Sequence, residues 1–585
     1  MSAPETAVGA QAQVIALPVG ARAFVVAGPG AGKTWTLLQR AEQLAVRDDV
    51  GADEVLVLSF TRAVVGELRR RQREATGIGR IFPETFDAFA GRLLSRHAEV
   101  EVRGTFDARI DRATALVQSG DADETLTSLR HVFVDEVQDL VGPRARFVGA
   151  LLERLEGGFT AFGDPAQAIY DHERVVESDD FIDDLGRLAE TEILLEGNHR
   201  AGGDLARDVA VVRERLLAGE GLELPADDMF VACETVGAFE GLAELVSSYQ
   251  GRTGVLCRDN ATALALSDLL HESEVPHRVR RSASDRPVAG WVAAAVGRST
   301  RVARGQLDAR LEGLRTGPLP VPGPDEAWRQ LQRLDRGARQ QAARSSAVAD
   351  AVRTGHVPPE LTEEPDARIV VSTIHRAKGL EFDQCVIVDW ARRDEDAELD
   401  QRVLFVALSR ARRFVYHASR PQHRTRWYRE EGRGGRLFKR GRSPWQTFGI
   451  EALGGDVHSP DPGGVFGIDS DPGELQLRLV DQVRPADVVD LERVDDQDFG
   501  TGDLPCYAVR HDSGVIGVTG VAFGTDLVRR TKGAAPARVT RLRIEGVETV
   551  AGTAEACDAA GLGASGLWLR PRLVGLGEFE WEKAV

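Results

Sequence analysis

Short apolar runs recur along the chain, each bounded by glycine, proline or charged residues. Residues 24–27, 55–59, 132–134 and 160–162 make a first set, and residues 192–195, 254–257, 368–372, 385–388 and 414–417 make a second. Runs this short and this apolar predict buried strands. Between them apolar positions return at helical spacing, as at Leu37, Leu38, Ala41, Leu44 and Ala45. Strand and helix in alternation, twice over, predict an α/β fold of two doubly wound parallel sheets, which bind ligands beyond the C-terminal ends of their strands. No internal repeat is evident.

The first run ends in Ala27, Gly28, Pro29, Gly30, Ala31, Gly32, Lys33 and Thr34, and a helical stretch follows. Glycines between a strand and a helix N-terminus let backbone N–H groups approach phosphate oxygens, and the helix end adds favourable partial charge. In that pattern Lys33 reaches the outer phosphates and the Thr34 hydroxyl ligates magnesium. The run 132–134 leads into Asp135, Glu136, Val137, Gln138 and Asp139. An Asp at a strand end holds the magnesium, and the neighbouring Glu orients or deprotonates the attacking water. The two motifs together predict hydrolysis of ATP or a close relative, with ATP and Mg²⁺ as cofactors.

Composition sharpens this. Of 73 Lys plus Arg only Lys33, Lys378, Lys439, Lys532 and Lys583 are lysine. The first two lie inside motifs, where an ammonium and a guanidinium are not interchangeable. At 585 residues the chain is long enough for about three or four domains. Its net charge of −18 repels nucleic acid, so any nucleic-acid site must be a local patch. Cys233, Cys257, Cys385, Cys506 and Cys557 are scattered and form no CxxC pair, which argues against a zinc or iron–sulfur site and fits a reducing cytoplasm. No signal-like N-terminus and no membrane-length apolar run is present, so the expected location is cytoplasmic with no membrane partner.

From the acidic box onward the chain resembles the superfamily 1 helicases of the UvrD/PcrA/Rep type, with motifs in family order between about residues 10 and 418. Leu58-Ser59-Phe60-Thr61-Arg62-Ala63 resembles motif Ia, and Thr85-Phe86-Asp87-Ala88-Phe89 the next DNA-contacting segment. Gly163 to Tyr170 resembles motif III, and Leu195 to Arg200 motif IV. Val371 to Phe382 and Leu404 to Arg412 are close matches to motifs V and VI. The resemblance implies that Gln167 senses the γ-phosphate and that Arg200 and Arg410 place positive charge on it. It implies that Gly379 and Glu381 lie at the nucleotide, Glu381 on its ribose side. It gives adenine reading to Gln11, with Gln13 as the alternative, and adenine stacking to His199. Phe60, Thr61, Thr85, Phe86, Tyr170, Thr373 and His375 would face DNA, core packing being the competing reading for Phe86.

The chain also departs from the family. His199 stands where a Tyr is usual, Asp87 where a His is usual, and His172 and Glu173 where a Trp-Arg pair is usual. Three of these departures fall on the DNA side. The insertions are short. The resulting expectation is a first core domain 1A over 1–188, with a 1B remnant near 96–131. A second core domain 2A covers 189–283 plus 363–447, interrupted by a reduced, helical, 2B-like insertion at 284–362. A linker at 448–464 then leads to a small β-rich domain at 465–585, with strand-like runs that include 475–480. Residues 278–353 are rich in arginine, and residues 410–442 interleave basic residues with Phe414, Tyr416, Trp427, Tyr428 and Phe438, a composition suited to single-stranded nucleic acid.

Two functions follow. The first is an ATP-dependent single-stranded DNA translocase, by resemblance a 3′-to-5′ DNA helicase, in repair, recombination or defence, with single-stranded or partially duplex DNA as partner. The second is an ATP-switched DNA-sensing or regulatory subunit with little unwinding, which acts with a nuclease or other protein partner through the acidic β-rich region.

Overall fold

The computed structural model describes residues 9–59, 83–97, 106–169, 181–219, 224–237, 241–280, 285, 287–335, 342–355, 357–362, 367–388, 397–418, 427–429, 436–441, 446–458, 471–494, 504–531 and 534–581. The chain divides into two units: residues 1–237 with 249–258 and 373–419, and residues 238–248 with 259–372 and 420–585.

The first unit holds two parallel sheets. The first consists of β1 (Arg22–Ala27), β2 (Val55–Ser59), β3 (Pro83–Thr85), β4 (His131–Val134), β5 (Gly158–Gly163) and β6 (Thr191–Leu195), in the order β3-β2-β4-β5-β1-β6. Every neighbouring pair is parallel. Parallel strands need crossovers that cover both faces, which is why β2, β4 and β5 are buried at every position. All six strands point the same way, so the segments after β1, β4, β5 and β6 emerge on one edge. That edge is where the topology puts a ligand.

One strand changes sheet relative to expectation. Residues 192–195, read with the second set, form β6 and pair with β1, Ala23 opposite Thr191 through Ala27 opposite Leu195. An apolar run carries no label for its sheet. Here the helix Phe181–Leu188 returns the chain to the edge of β1. The 1B remnant is not a body of its own among the described residues. Ile110, Ala113, Val117, Ala122 and Leu126, from helices Phe106–Ser119 and Asp123–Thr127 and their junction, lie in the same core as Leu56, Val132 and Phe159 of the sheet.

The second sheet runs, within this unit, through β7 (Glu234–Gly237), β8 (Thr253–Cys257), β9 (Phe382–Val388) and β10 (Ala411–Ala418) in the order β7-β10-β9-β8, again all parallel. The helix Ala397–Leu408 links β9 to β10 and is buried over Val403 to Leu408.

The second unit is built on an antiparallel sheet whose spine is the strand Arg538–Ala551. Along the sheet lie Trp427–Arg429, Leu437–Arg440, Thr447–Glu451, Leu576–Glu580, the spine, Val488–Val494, Cys506–His511 and Gly514–Val518; Val288–Ala289 and Leu567–Val574 also pair with the spine. Residues 284–362 and 465–585, read as separate bodies, share one core here. Trp291, Leu307, Leu311, Leu331 and Val348 pack in the same cluster as Leu491, Tyr507, Phe523, Leu542 and Leu569. The expected linker at 448–464 begins inside the sheet, because Thr447–Glu451 pairs with both its neighbours. Residues 475–480 are helix (Pro472–Asp481) rather than strand. Asp471 caps the N–H groups of Gly473 and Glu474, Pro472 takes the first turn, and the buried Leu475 and Leu479 are four apart. Among the described residues no helix is long and apolar enough to cross a membrane.

Candidate active site

The loop after β1 can be glycine-rich only. Gly30 and Gly32 sit at φ 76° and 85°, where a side chain is strained. A Cβ on Gly30 would stand 2.1 Å from Asn198 Oδ1, and one on Gly32 2.6 Å from Gln11 Nε2. Gly32 caps the helix Lys33–Arg47 with no side-chain acceptor, so the helix start is left to its backbone donors. Gln11 is buried and donates to Ala31 O at 3.0 Å, whereas Gln13 is exposed, so Gln11 is the glutamine at the loop. His199 donates its backbone N–H to Gly30 O at 2.8 Å and keeps its ring exposed. Ala27, Gly28, Pro29 and Ala31 are buried, and Thr34 is half-buried in the first helical turn.

Asp135 and Glu136 follow β4 on the same edge. The Asp135 N–H donates to Leu58 O at 2.9 Å, which fixes the strand end. Glu136 is held at φ 54°, ψ 48°. Lys33 Nζ lies 3.1 Å from Glu136 Oε2. Burial opposes the Lys33 charge, but Glu136, Asp135 and Asp164 outweigh it and raise its pKa. Burial, then the Glu136 charge, pushes the Asp135 carboxyl up to about 7, with Lys33 opposing the shift. Glu136 is half-buried, and against the penalty of burial Lys33 and Lys378 hold it below the ordinary carboxylate range and therefore ionised.

Elements of both sheets meet here. Gln167, in the 3-10 turn Pro165–Gln167 after β5, accepts from Arg410 Nη2 at 2.9 Å and donates to Asp164 Oδ2 at 2.6 Å. Arg410 is buried and also donates to Val406 O; burial and the nearby Arg200 lower its pKa to about 10. Arg200 pairs with Glu381 at 2.7 Å and donates to Ser409 O at 3.1 Å. Gly379, at φ 80°, is exposed two residues before Glu381. Lys378 joins the sheets a second time, pairing with Asp139 and donating to Gln167 O at 2.6 Å.

The residues predicted at the nucleotide sit at the ends of β1, β4, β5 and β6, in the first turn of helix Lys33–Arg47, on the helix Ala10–Ala16 that carries Gln11, and just before β9 and β10. Sequence reasoning missed Gln138, Asp139, Asp164, Arg213, Lys378 and Arg412 as working parts. Gln138 Oε1 accepts from Asp164 N at 3.0 Å, Arg213 pairs with Asp164 at 2.9 Å, and Arg412 pairs with Glu381 at 2.7 Å. For Lys378 a signal existed, since a lysine kept in an arginine-rich chain marks a place for an ammonium. The others became legible only once the loops were brought together.

The residues fit a magnesium nucleotide. The cradle admits no Cβ, and Arg200 Nε is buried without a hydrogen-bond partner beside it. Thr34 and Asp135 are the hard oxygen donors. Among the described residues no group of three or more His, Cys, Asp or Glu forms a metal cage. Magnesium that shares its shell with phosphates needs only one or two carboxylates.

The DNA side differs from expectation. Phe60, Thr61 and Tyr170, with His172 and Glu173, lie outside the described residues. Phe86 is a correction: at 1% exposure it belongs to the core with Phe89 and Leu93, because position one of its helix (Phe86–His97) faces the sheet. Thr85 is buried and accepts from Ala88 N, a helix cap rather than a free surface group. Thr373 likewise accepts from Arg376 N, and His375 is half-buried one turn before Lys378. Asp87 pairs with Arg144 at 3.0 Å. Of the basic and aromatic stretch, Phe414 is exposed beneath the Arg413 guanidinium, whereas Trp427 and Phe438 are buried.

Residues 8–124 match the UvrD/REP helicase N-terminal domain, and residues 368–416 match the UvrD-like helicase C-terminal domain. The ATP-dependent DNA helicase UvrD2 of Mycobacterium tuberculosis is 32% identical over 125 residues, 20% of this chain and 17% of that protein; UvrD2 of Mycobacterium bovis matches equally. An ATP-dependent helicase/nuclease protein of Syntrophomonas wolfei is 45% identical over 48 residues, 8% of this chain and 4% of that protein. The chain thus spans under a fifth of the length of the curated relatives it matches. Among solved structures, the Pif1 helicase of Candida albicans aligns with a TM-score of 0.38 at 14% identity, over 70% of this chain and 94% of that one. The phosphate loop lies within the segment that matches the UvrD/REP helicase N-terminal domain, and Gly379, Glu381 and Arg410 lie within the segment that matches the UvrD-like helicase C-terminal domain.

Proposed function

We propose that the chain is an ATP-driven motor on single-stranded DNA, a translocase and 3′-to-5′ DNA helicase acting in repair, recombination or defence. The observation that supports this best is the set of bonds around Gln167, which ties the catalytic edge of the first sheet to Arg410 and Lys378 from the second. A group that answers to the terminal phosphate and is bonded to both sheets is what coupling hydrolysis to domain movement requires.

In this reading Lys33 exchanges Glu136 for the outer phosphates, and Glu136, left ionised, orients and deprotonates water. Gln167 positions that water while Arg200 and Arg410 neutralise charge on the transferred phosphoryl group. Thr34 and Asp135 would hold a magnesium ion, which would supply Lewis-acid stabilisation of charge on the phosphates. Gln11 and His199 take the base and Glu381 the ribose. The burial of Phe86 and the Asp87–Arg144 pair favour the second reading, an ATP-switched DNA sensor whose β-rich unit takes a protein partner.

Strand displacement from duplexes with a 3′ or a 5′ single-stranded tail separates these. The motor predicts displacement from the 3′-tailed duplex. Displacement from the 5′-tailed one alone overturns the polarity. DNA-stimulated ATP turnover with no displacement supports the sensor.

A further inference from the structure

Arg213 belongs to no motif, yet it stands against the phosphate loop. It lies in the helix Gly203–Ala218. A Cβ on Gly28 would stand 2.9 Å from its Cδ and Nε and 3.4 Å from its Cζ, so the guanidinium rests across the first glycine of the loop. Its Nε donates to Asp164 Oδ1 at 2.9 Å, and the Asp164 side chain is 0% exposed. The other Asp164 oxygen accepts from Gln167 Nε2, and Gln167 Oε1 accepts from Arg410 Nη2. An unbroken chain therefore runs from Arg213 beside Gly28, through Asp164 and Gln167, to Arg410.

Arg213 Nη2 is buried and has no hydrogen-bond partner among the described residues. A guanidinium N–H left bare in the interior is costly, more so than a neutral one. Neutralising Asp164 accounts for Nε alone. It accounts neither for the path across Gly28 nor for a bare N–H beside a loop shaped for phosphate.

We propose that Arg213 is a third phosphate-facing arginine beside Arg200 and Arg410. It fixes Asp164, and with it Gln167, through Nε, and offers Nη2 to the terminal phosphate of a nucleoside triphosphate. The proposal rests on the nucleotide-hydrolysing reading above. A lysine at this position can serve Asp164 or the phosphate, but not both, because it lacks the fork.

The test compares affinities for a non-hydrolysable ATP analogue and for ADP, together with kcat and KM, in the wild type, Arg213→Lys and Arg213→Ala. A contact to the terminal phosphate predicts that Arg213→Ala loses about 10- to 100-fold in affinity for the ATP analogue. Its affinity for ADP stays near that of the wild type, which also shows that the cradle is folded, and kcat falls. Arg213→Lys recovers part of kcat. If Arg213→Ala has lost ADP binding, the ATP-to-ADP ratio is read on Arg213→Lys, where it must still fall. An unchanged ratio, or equal loss for both nucleotides in both variants, overturns the proposal. A wild type that binds ATP and never hydrolyses it overturns the motor instead, and the binding ratio still decides the role of Arg213.

Discussion

Glu136 combines a left-handed backbone with a carboxylate held ionised by two lysines. For a non-glycine residue that conformation costs about 1 kcal/mol or more and persists only where its surroundings impose it. Glu136→Gln keeps shape and removes the base. It is expected to bind ATP while kcat falls about 10²- to 10⁴-fold; equal turnover in variant and wild type would remove Glu136 from the chemistry. Lys33→Ala should abolish turnover, and a surviving DNA-stimulated rate would sink the assignment of the phosphate loop. A third prediction concerns His131, the buried first residue of β4. Its Nδ1 lies 2.7 Å from Val19 O and its Nε2 2.9 Å from Thr160 Oγ1, which also accepts from Arg40 Nε. Burial, then the Arg40 charge, lowers its pKa to about 3 from 6.5. The unfolded chain therefore binds a proton first as pH falls. Stability from this group is full above about pH 6.5 and is lost toward pH 3, amounting to about 2 kcal/mol by pH 5. The thermal midpoint of wild type should fall more steeply than that of His131→Gln between about pH 7 and 5; parallel slopes would contradict it. Residues whose role follows from a local pattern, such as Lys33 or Asp135, could be read from sequence. Arg213, Asp139 and Phe86 could not, since a partner far along the chain decides what each side chain faces.

Elements show the same division. β1, β2, β4, β5, β8 and β9 were legible because they are buried and read as nearly unbroken apolar segments, whereas the short β3 and the largely exposed β7 were not. The β-rich character of the C-terminal region was legible too; what could not be read was membership, as β6 shows, and helix Pro472–Asp481, whose apolar pattern is too short to separate from a strand. The loop after β6 closes over the phosphate loop, and a Cβ on Gly30 would collide with Asn198. Gly30→Ala is expected to weaken ATP binding by about tenfold or more in a nucleotide-binding assay, through the strained φ as well as the collision. In the second unit Arg572 is a hub. At 4% exposure it holds Glu545 at 2.9 Å, Glu548 at 3.2 Å and Asp285 at 2.7 Å. It also explains why Gly454 has no side chain, since a Cβ there would stand 2.2 Å from Arg572 Nη2. Arg572→Leu removes the shared cation from Glu545, Asp285 and Glu548, of which Glu548 keeps Arg570, and should cost that unit about 3–5 kcal/mol. Urea unfolding followed by tryptophan fluorescence measures it. A loss well under 1 kcal/mol, the range of exposed pairs, would mean the hub is solvated.

At the scale of the molecule, the nucleotide residues all fall within one unit, and the acidic charge of the chain makes the DNA track a local matter. The small insertions and altered DNA-side residues were visible in sequence. That residues 284–362 fold with the C-terminal strands was not, because their apolar faces are completed by partners about two hundred residues away. The central claim is that ATP hydrolysis at the Lys33–Glu136 edge is driven by single-stranded DNA. The most direct measurement is the ATPase rate of the purified chain with and without single-stranded DNA, in wild type and Glu136→Gln. The account predicts strong stimulation that falls with added salt and is absent from Glu136→Gln. A rate that DNA leaves unchanged in the wild type would contradict it.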